Sequence, residues 1–391
     1  MEFQEILKNL PHGKAAGPSG IHYEMLKKLS KEGKTIIRTF FNCLLKTGLI
    51  PGTWKQSTIF PIPKPKPWQC DLANTRPIVL LETTRKCFTK IITNRLSSIC
   101  KKYNILRGPN FAGLPGESTA EPIQLLNNIC EDARENKKEL WILFQDTAKA
   151  YDTVSLEMLE RAMKRIHIPA GIIQIINNLF HKRQFKIITH IGLTNQITAR
   201  DGIDQGETIS PLLWRIFYDP LLCKIQENRS YGYTMQVKWK PNMKNSEQRE
   251  LSIRHAAVAF MDDTTWIARS KEDMENILED ARFFYKANDS QINTQKSILI
   301  TINNKSADPG IVHAGTTQEP VIEIDRSKHT RFLGIWLGNH RPVKDIRERI
   351  KTEINTITTV LRKKKVTEKH VLYILNRVLI SYIELEYNIV T

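Results

Sequence analysis

Two adjacent carboxylates, Asp262 and Asp263, lie at the centre of the apolar run Ala259–Ala268, AFMDDTTWIA. The residues on either side favour strand. The run therefore reads as two strands meeting at a corner. Asp is a common turn former. The tight two-residue hairpin turns, however, require left-handed backbone that Gly normally supplies, and no Gly stands here. Neighbouring carboxylates also repel, each raising the other's pKa unless a cation lies between them. The pattern predicts a metal site at a strand–turn–strand corner, completed by a third carboxylate from elsewhere in the chain.

Asp146 is the candidate for the third. It ends ELWILFQD (Glu139–Asp146), a strand by its apolar and aromatic content. Paired metal ions about 3.5–4 Å apart need bridging carboxylates on rigid strands. Magnesium prefers oxygen ligands and leaves positions for water and substrate phosphates. One Asp on one strand and Asp-Asp on a neighbouring hairpin supply that set.

The partner class follows from charge. The 391 residues carry 58 Lys+Arg against 41 Asp+Glu, a formal net charge of +17, which attracts a polyanion such as nucleic acid. No apolar run approaches the ~20 residues of a spanning helix, so a membrane partner is not expected. The opening MEFQEILKNLPHGK lacks the apolar core of a signal peptide, so secretion is not expected either. Six scattered cysteines without a CxxC, and histidines without HExxH spacing, predict reduced thiols and no zinc site.

Periodicity places the remaining elements. PIPKPKPW (Pro61–Trp68) is extended, because proline excludes helix. Helix is expected over Leu81–Lys102, with Phe88, Ile91, Ile92, Leu96 and Ile99 on one face and Arg85, Lys86, Lys90 and Arg95 on a solvated one. Ser155 caps a helix that ends by Pro169, GIIQIINNLFHKR is a second, and Pro211 opens a third. FKIITHI, YTMQVKWK and SIRHAAVAFMDD read as strands. KEDMENILEDARFFYKAN is a helix with its apolar stripe at Met274, Ile277, Leu278, Ala281 and Phe284, and from Val343 the chain is helical and basic. The order predicts an α+β class with helices covering a sheet.

Three further stretches fit a site that handles phosphates and sugars. Tyr151 lies five positions after Asp146, where a ring can pack under a sugar and exclude a 2′-hydroxyl. Gly202, Gln205 and Gly206 precede a helix, and glycines allow close backbone approach to a ligand. Lys296, in NTQKS, can neutralise a leaving anion.

Taken in order, KAAGPSGI (Lys14–Ile21), TRPIVLL (Thr75–Leu81), FQDTAKAYDTV, GIDQGETISPLL, AFMDDTTW, NTQKS and RFLGIWLG (Arg331–Gly338) resemble the successive blocks of a reverse transcriptase. The KAxGPxGI block resembles that of the non-LTR (LINE-like) retrotransposon branch. The resemblance implies a right-hand polymerase fold of fingers, palm and helical thumb, with an antiparallel palm sheet carrying the carboxylates. It divides the chain into an N-terminal extension and fingers (1–138), a palm with part of the fingers folded against it (139–340) and a partial thumb (341–391). Asp146, Asp262 and Asp263 match the family's metal-binding and catalytic carboxylates. Tyr151 matches its gate against ribonucleotides, and Gln205 and Gly206 its nucleotide-pocket block. Lys64 and Arg76 match positions that hold the triphosphate. Lys296 matches the palm lysine near the leaving group, and Phe332, Leu333 and Gly334 the hairpin that grips the primer. Ser19 departs from the family, which usually has Asp there, and Gln145 and Phe260 vary beside the carboxylates.

The implied activity is RNA-directed DNA polymerisation with two Mg²⁺ ions, Mn²⁺ being a substitute. The implied partners are an RNA template, a DNA primer and dNTPs, in a nuclear location. Two alternatives share the blocks: an inactive nucleic-acid-binding remnant and an intron-type maturase. A two-metal nuclease would not need Tyr151, Gln205 and the FLG hairpin.

Overall fold

Turn chemistry sets the first boundaries. Ser30 opens α1 (Lys31–Thr47) by accepting the Gly33 N–H, and Gly48 closes it in the left-handed region at φ 71°. The proline-rich stretch beyond is strand β1 (Gln56–Pro63), paired antiparallel with β2 (Thr75–Leu80) so that Ile62 faces Arg76. Helix α2 (Thr83–Lys102) buries Phe88, Ile91, Ile92 and Leu96 as expected. Two expectations for it fail. Ile99 is 48% exposed, and Arg85, assigned by its charge to the solvated face, is completely buried. The computed structural model describes residues 2–387 apart from 66, 68, 72–73, 240–248 and 342. Part of PIPKPKPW and the last residue of YTMQVKWK lie outside the described residues.

Helix α3 (Ala120–Glu135) leads into β3 (Leu140–Gln145), which is buried almost throughout. Ser155 caps α4 (Leu156–Arg165) by accepting the Met158 N–H, and Pro169 precedes α5 (Ala170–Phe180). Strand β4 (Gln184–Thr189) and helix α6 (Ser210–Glu227) follow. SIRHAAVAFMDD is two strands rather than one. Its first part belongs to β6 (Arg249–His255), the partner of β5 (Tyr233–Trp239) in an antiparallel ribbon. Its second part is β7 (Ala257–Phe260), which pairs instead with β8 (Asp263–Ala268). The chain changes partner across Ala256, a break that no glycine, proline or turn residue marks. Beyond β8 come α7 (Lys271–Ala287), β9 (Ile298–Ile302), the hairpin β10 (His329–Phe332) and β11 (Ile335–Gly338), and the tail helix α8 (Val343–Arg362). No helix among the described residues is long and apolar enough to cross a membrane.

The chain forms two compact units, each assembled from separated segments. The first comprises Met1–Glu117, Thr147–Lys224 and Phe284–Gln291. Its sheet is mixed, because β1 pairs antiparallel with β2 and parallel with β4. The second comprises Ser118–Asp146, Ile225–Phe283 and Ile292–Thr391. Its sheet is antiparallel in the order β7-β8-β3-β9. Ile142, Leu143, Trp266 and Ile267 on the two central strands are completely buried, so β3 and β8 form a rigid floor.

Candidate active site

The Asp pair occupies the corner that its sequence predicts. Phe260 pairs with Asp263, leaving Met261 and Asp262 as the two-residue turn of the β7–β8 hairpin. Met261 takes φ 57°. A side chain with a Cβ pays about 1–2 kcal/mol for that conformation, and such strain clusters where surrounding structure imposes it for function. The β8–β3 ladder ends at Thr264 opposite Gln145. The next residues on the two strands are Asp263 and Asp146, so the ladder runs out where all three carboxylates gather. Gln145 is buried and accepts the Trp266 indole N–H at 2.9 Å, which accounts for a polar residue on a core strand.

Burial and mutual repulsion both disfavour ionisation of the Asp pair. Burial raises the Asp262 carboxyl above its ordinary range, and the charge of Asp146 adds to the rise. Asp263 is pushed up to about 6, by desolvation first and then by the charges of Asp262 and Asp146. Its side chain still opens on solvent, and water screens part of that repulsion. Among the described residues, no three acidic, His or Cys side chains stand close enough to cage an ion by themselves. Magnesium needs no such cage, since it is bound by one or two carboxylates and completed by water and substrate phosphates. The all-oxygen donor set fits Mg²⁺ or Mn²⁺ and does not suit a soft metal.

NTQKS is the turn that holds Asp146. The Asn293 N–H donates to the Asp146 carbonyl at 2.8 Å, and the Asp146 N–H donates to Ser297 Oγ at 3.3 Å. Lys296 Nζ lies 3.7 Å from Asp146 Oδ2, so its ammonium offsets one of the three charges. Asn293 and Ser297 were not singled out by sequence; the signal was their place beside Lys296. The FLG hairpin is also found. Leu333 and Gly334 form its two-residue turn at φ 47° and 103°, both half-exposed. Phe332 is buried, its ring 5.6 Å from that of Phe144 on β3, so it seats the hairpin on the sheet and does not present a contact surface.

The other candidates lie in the first unit. The Ile203 N–H donates to the Tyr151 carbonyl, and the Val79 N–H on β2 donates to the Gln205 carbonyl. These bonds bring Tyr151, Gln205, Gly206 and the strand of Arg76 together. Gly202 sits at φ 90°, and a Cβ there would lie 2.6 Å from the Asp152 carbonyl oxygen. Gln205, Gly206 and Arg76 are exposed. Tyr151 stacks on buried Trp214 at 5.8 Å between ring centres, and Trp214 stacks on Tyr218 at 5.3 Å. Trp214, four positions into α6, was legible only as an apolar helix residue. Lys64 follows β1, its N–H bonded to the Asn74 carbonyl.

Ser19 has a structural account. Its N–H and Oγ both donate to the Glu82 carboxylate, at 2.8 and 2.5 Å. An Asp at this position would set two carboxylates against each other. Gly17 is required beside it, since a Cβ would lie 2.6 Å from the Glu82 backbone nitrogen.

Comparison with known proteins shows the family. Residues 62–337 match the family described as reverse transcriptase (RNA-dependent DNA polymerase). The chain is 25% identical over 336 residues to the probable RNA-directed DNA polymerase from transposon BS of Drosophila melanogaster, covering 86% of this chain and 35% of that protein. It is 25% identical over 310 residues to the retrovirus-related Pol polyprotein from the type-1 retrotransposable element R2 of Popillia japonica, covering 77% and 40%. The chain thus spans well under half the length of these relatives. A telomerase structure from Candida tropicalis, in complex with a fragment of telomeric RNA, aligns with 82% of this chain and 52% of that one at 13% identity and a TM-score of 0.45. The match over residues 62–337 places the chain in the reverse transcriptase family, and its relatives place it in the non-LTR retrotransposon branch.

Proposed function

We propose that the chain extends a DNA primer on an RNA template, joining dNTPs by nucleotidyl transfer. The observation that carries this reading is the convergence of Asp146, Asp262 and Asp263 where two strands of one antiparallel sheet end. That sheet is the palm of the right-hand polymerase fold to which the family belongs. In the reaction the primer 3′-oxygen bonds to the α-phosphorus, the bond to the β-phosphate oxygen breaks, and pyrophosphate leaves. Two Mg²⁺ ions, or Mn²⁺ in their place, supply Lewis-acid neutralisation of the phosphate charge when bound.

The protein's part is positioning and charge. The carboxylates stand at the end of a buried floor, and one or two of them would hold each cation, with water and substrate phosphates completing its shell. Met261, locked left-handed in a two-residue turn, fixes where Asp262 points. Lys296 balances Asp146 and has an exposed ammonium free to follow a departing anion. In the first unit Tyr151 gates the sugar, and the Gln205–Gly206 segment lines the nucleotide pocket. Lys64 and Arg76 hold the triphosphate, and the turn at Leu333–Gly334 supports the primer end. The division into fingers (1–138), palm (139–340) and thumb (341–391) belongs to the same reading.

Primer extension on an RNA template of known sequence tests it. The expected result is a ladder that stops one residue short of the template base whose dNTP is withheld. Extension that ignores the template, or none with template–primer bound, would overturn the reading.

A further inference from the structure

The exposed Gln205–Gly206 segment is flanked by two buried acids, Asp204 and Glu207. Each is tied to a buried arginine from another element. Arg85, on the first turn of α2, donates from Nη2 to Asp204 Oδ2 at 2.9 Å, and its Nε lies 2.6 Å from Glu207 Oε2 as an ion pair. Its Nη1 donates to the Trp54 carbonyl at 2.6 Å. Arg183 pairs with the other Asp204 oxygen and donates from Nη2 to the carbonyls of Asp201 and Gly202, at 2.6 and 2.8 Å. Glu207 Oε1 accepts from Thr89 Oγ1 and from the Thr208 N–H. Both guanidinium groups lie over the Phe180 ring, at 5.5 and 5.6 Å.

The quartet is neutral, two cations and two anions, and it grips the segment on both sides. Stability alone is a poor reason for it. Replacing a buried ion network by apolar residues is often neutral or stabilising, whereas charged forks fix geometry that apolar packing leaves loose. The segment needs fixing, since Gly202 and Gly206 sit at φ 90° and 111° and glycine loses the most freedom on ordering. We infer that Arg85 and Arg183 are positioning residues for the incoming nucleotide, acting through Asp204 and Glu207 to hold Gln205 and Gly206 in one place. This inference rests on the polymerase reading and assigns that site a fixed wall, tied to α2 and to the turn after α5.

Two variants test it. Glu207→Gln keeps the shape and removes the charge; Arg85→Lys keeps the charge and removes the fork. Each is compared with wild type by single-nucleotide extension kinetics, by template–primer affinity, by melting temperature and by amide hydrogen exchange over 202–208. The expected result is a KM for dNTP raised about 10- to 100-fold, as for a displaced contact, with faster exchange confined to 202–208 and template–primer affinity retained. A lower melting temperature with KM and local exchange at wild-type values would overturn the inference and leave the quartet a core element only. Faster local exchange with unchanged KM would overturn it too. Failure of wild type itself to extend a primer would strike the polymerase reading instead, and is seen before either variant is compared.

Discussion

Carboxylates held close together lower stability until something positive joins them, and Asp263 is the residue where that cost is greatest. Its carboxyl is raised from 3.8 to about 6. Between those values the folded protein binds more protons there than the unfolded chain, so stability falls as pH rises through the window and the loss is complete above it. Asp263→Asn is therefore expected to raise the melting temperature of metal-free protein near neutral pH, with a smaller gain near pH 5. A melting temperature lowered at neutral pH would contradict the repulsion. Added Mg²⁺ should raise wild type and leave Asp263→Asn less affected. Ser19 makes the opposite case, a neutral donor beside Glu82. Ser19→Asp should cost about 1–3 kcal/mol in urea unfolding, and Glu82→Gln should recover most of it in the double variant. Additive losses would show that the two do not interact. The carboxylates were legible because Asp in an apolar strand run has few structural uses. Arg85 was not, because charge reads as exposure and its acidic partners lie more than a hundred residues away.

Among elements, the hairpins carry most of the site. The Leu333–Gly334 turn is readable because glycine marks left-handed backbone. The Met261–Asp262 turn is not, and only the repulsion of its carboxylates draws attention to it. The start of the helix capped by Ser155 was legible to the residue, since a cap is local chemistry. Of β1 only the end, from Pro61, was legible as extended chain, because its prolines hide the alternation that marks a strand. The partner change at Ala256 left no trace, for no glycine, proline or turn residue marks it. Met261→Gly tests what the turn does. Relief of about 1–2 kcal/mol of left-handed strain is largely offset by the roughly 0.5–1 kcal/mol entropic cost of glycine. Stability should hardly change, while extension slows about tenfold as Asp262 loses its fixed direction. Unchanged extension by a stable variant would show that the strained residue has no positioning role.

The whole molecule adds a field and a division into two compact units. A net charge of +17 on 391 residues attracts any nucleic-acid backbone, whatever its sequence. Template–primer affinity should fall by about 10³-fold or more between roughly 50 and 200 mM salt, as for a protein neutralising several phosphates. A flat salt response would mean that the charge is not used in binding. Asp146, Asp262 and Asp263 lie in one compact unit and the Gln205–Gly206 segment in the other, and neither unit is continuous in sequence. The most direct test of the central claim separates binding from chemistry. Asp262→Asn and wild type are compared for template–primer affinity and for RNA-templated extension with Mg²⁺ and dNTPs. The variant is predicted to bind as wild type does. Its extension should fall by about 10²–10⁴-fold, the loss of several kcal/mol of metal-assisted stabilisation. Extension by the variant at a rate near that of wild type would remove Asp262 from the site, and the two-metal account with it.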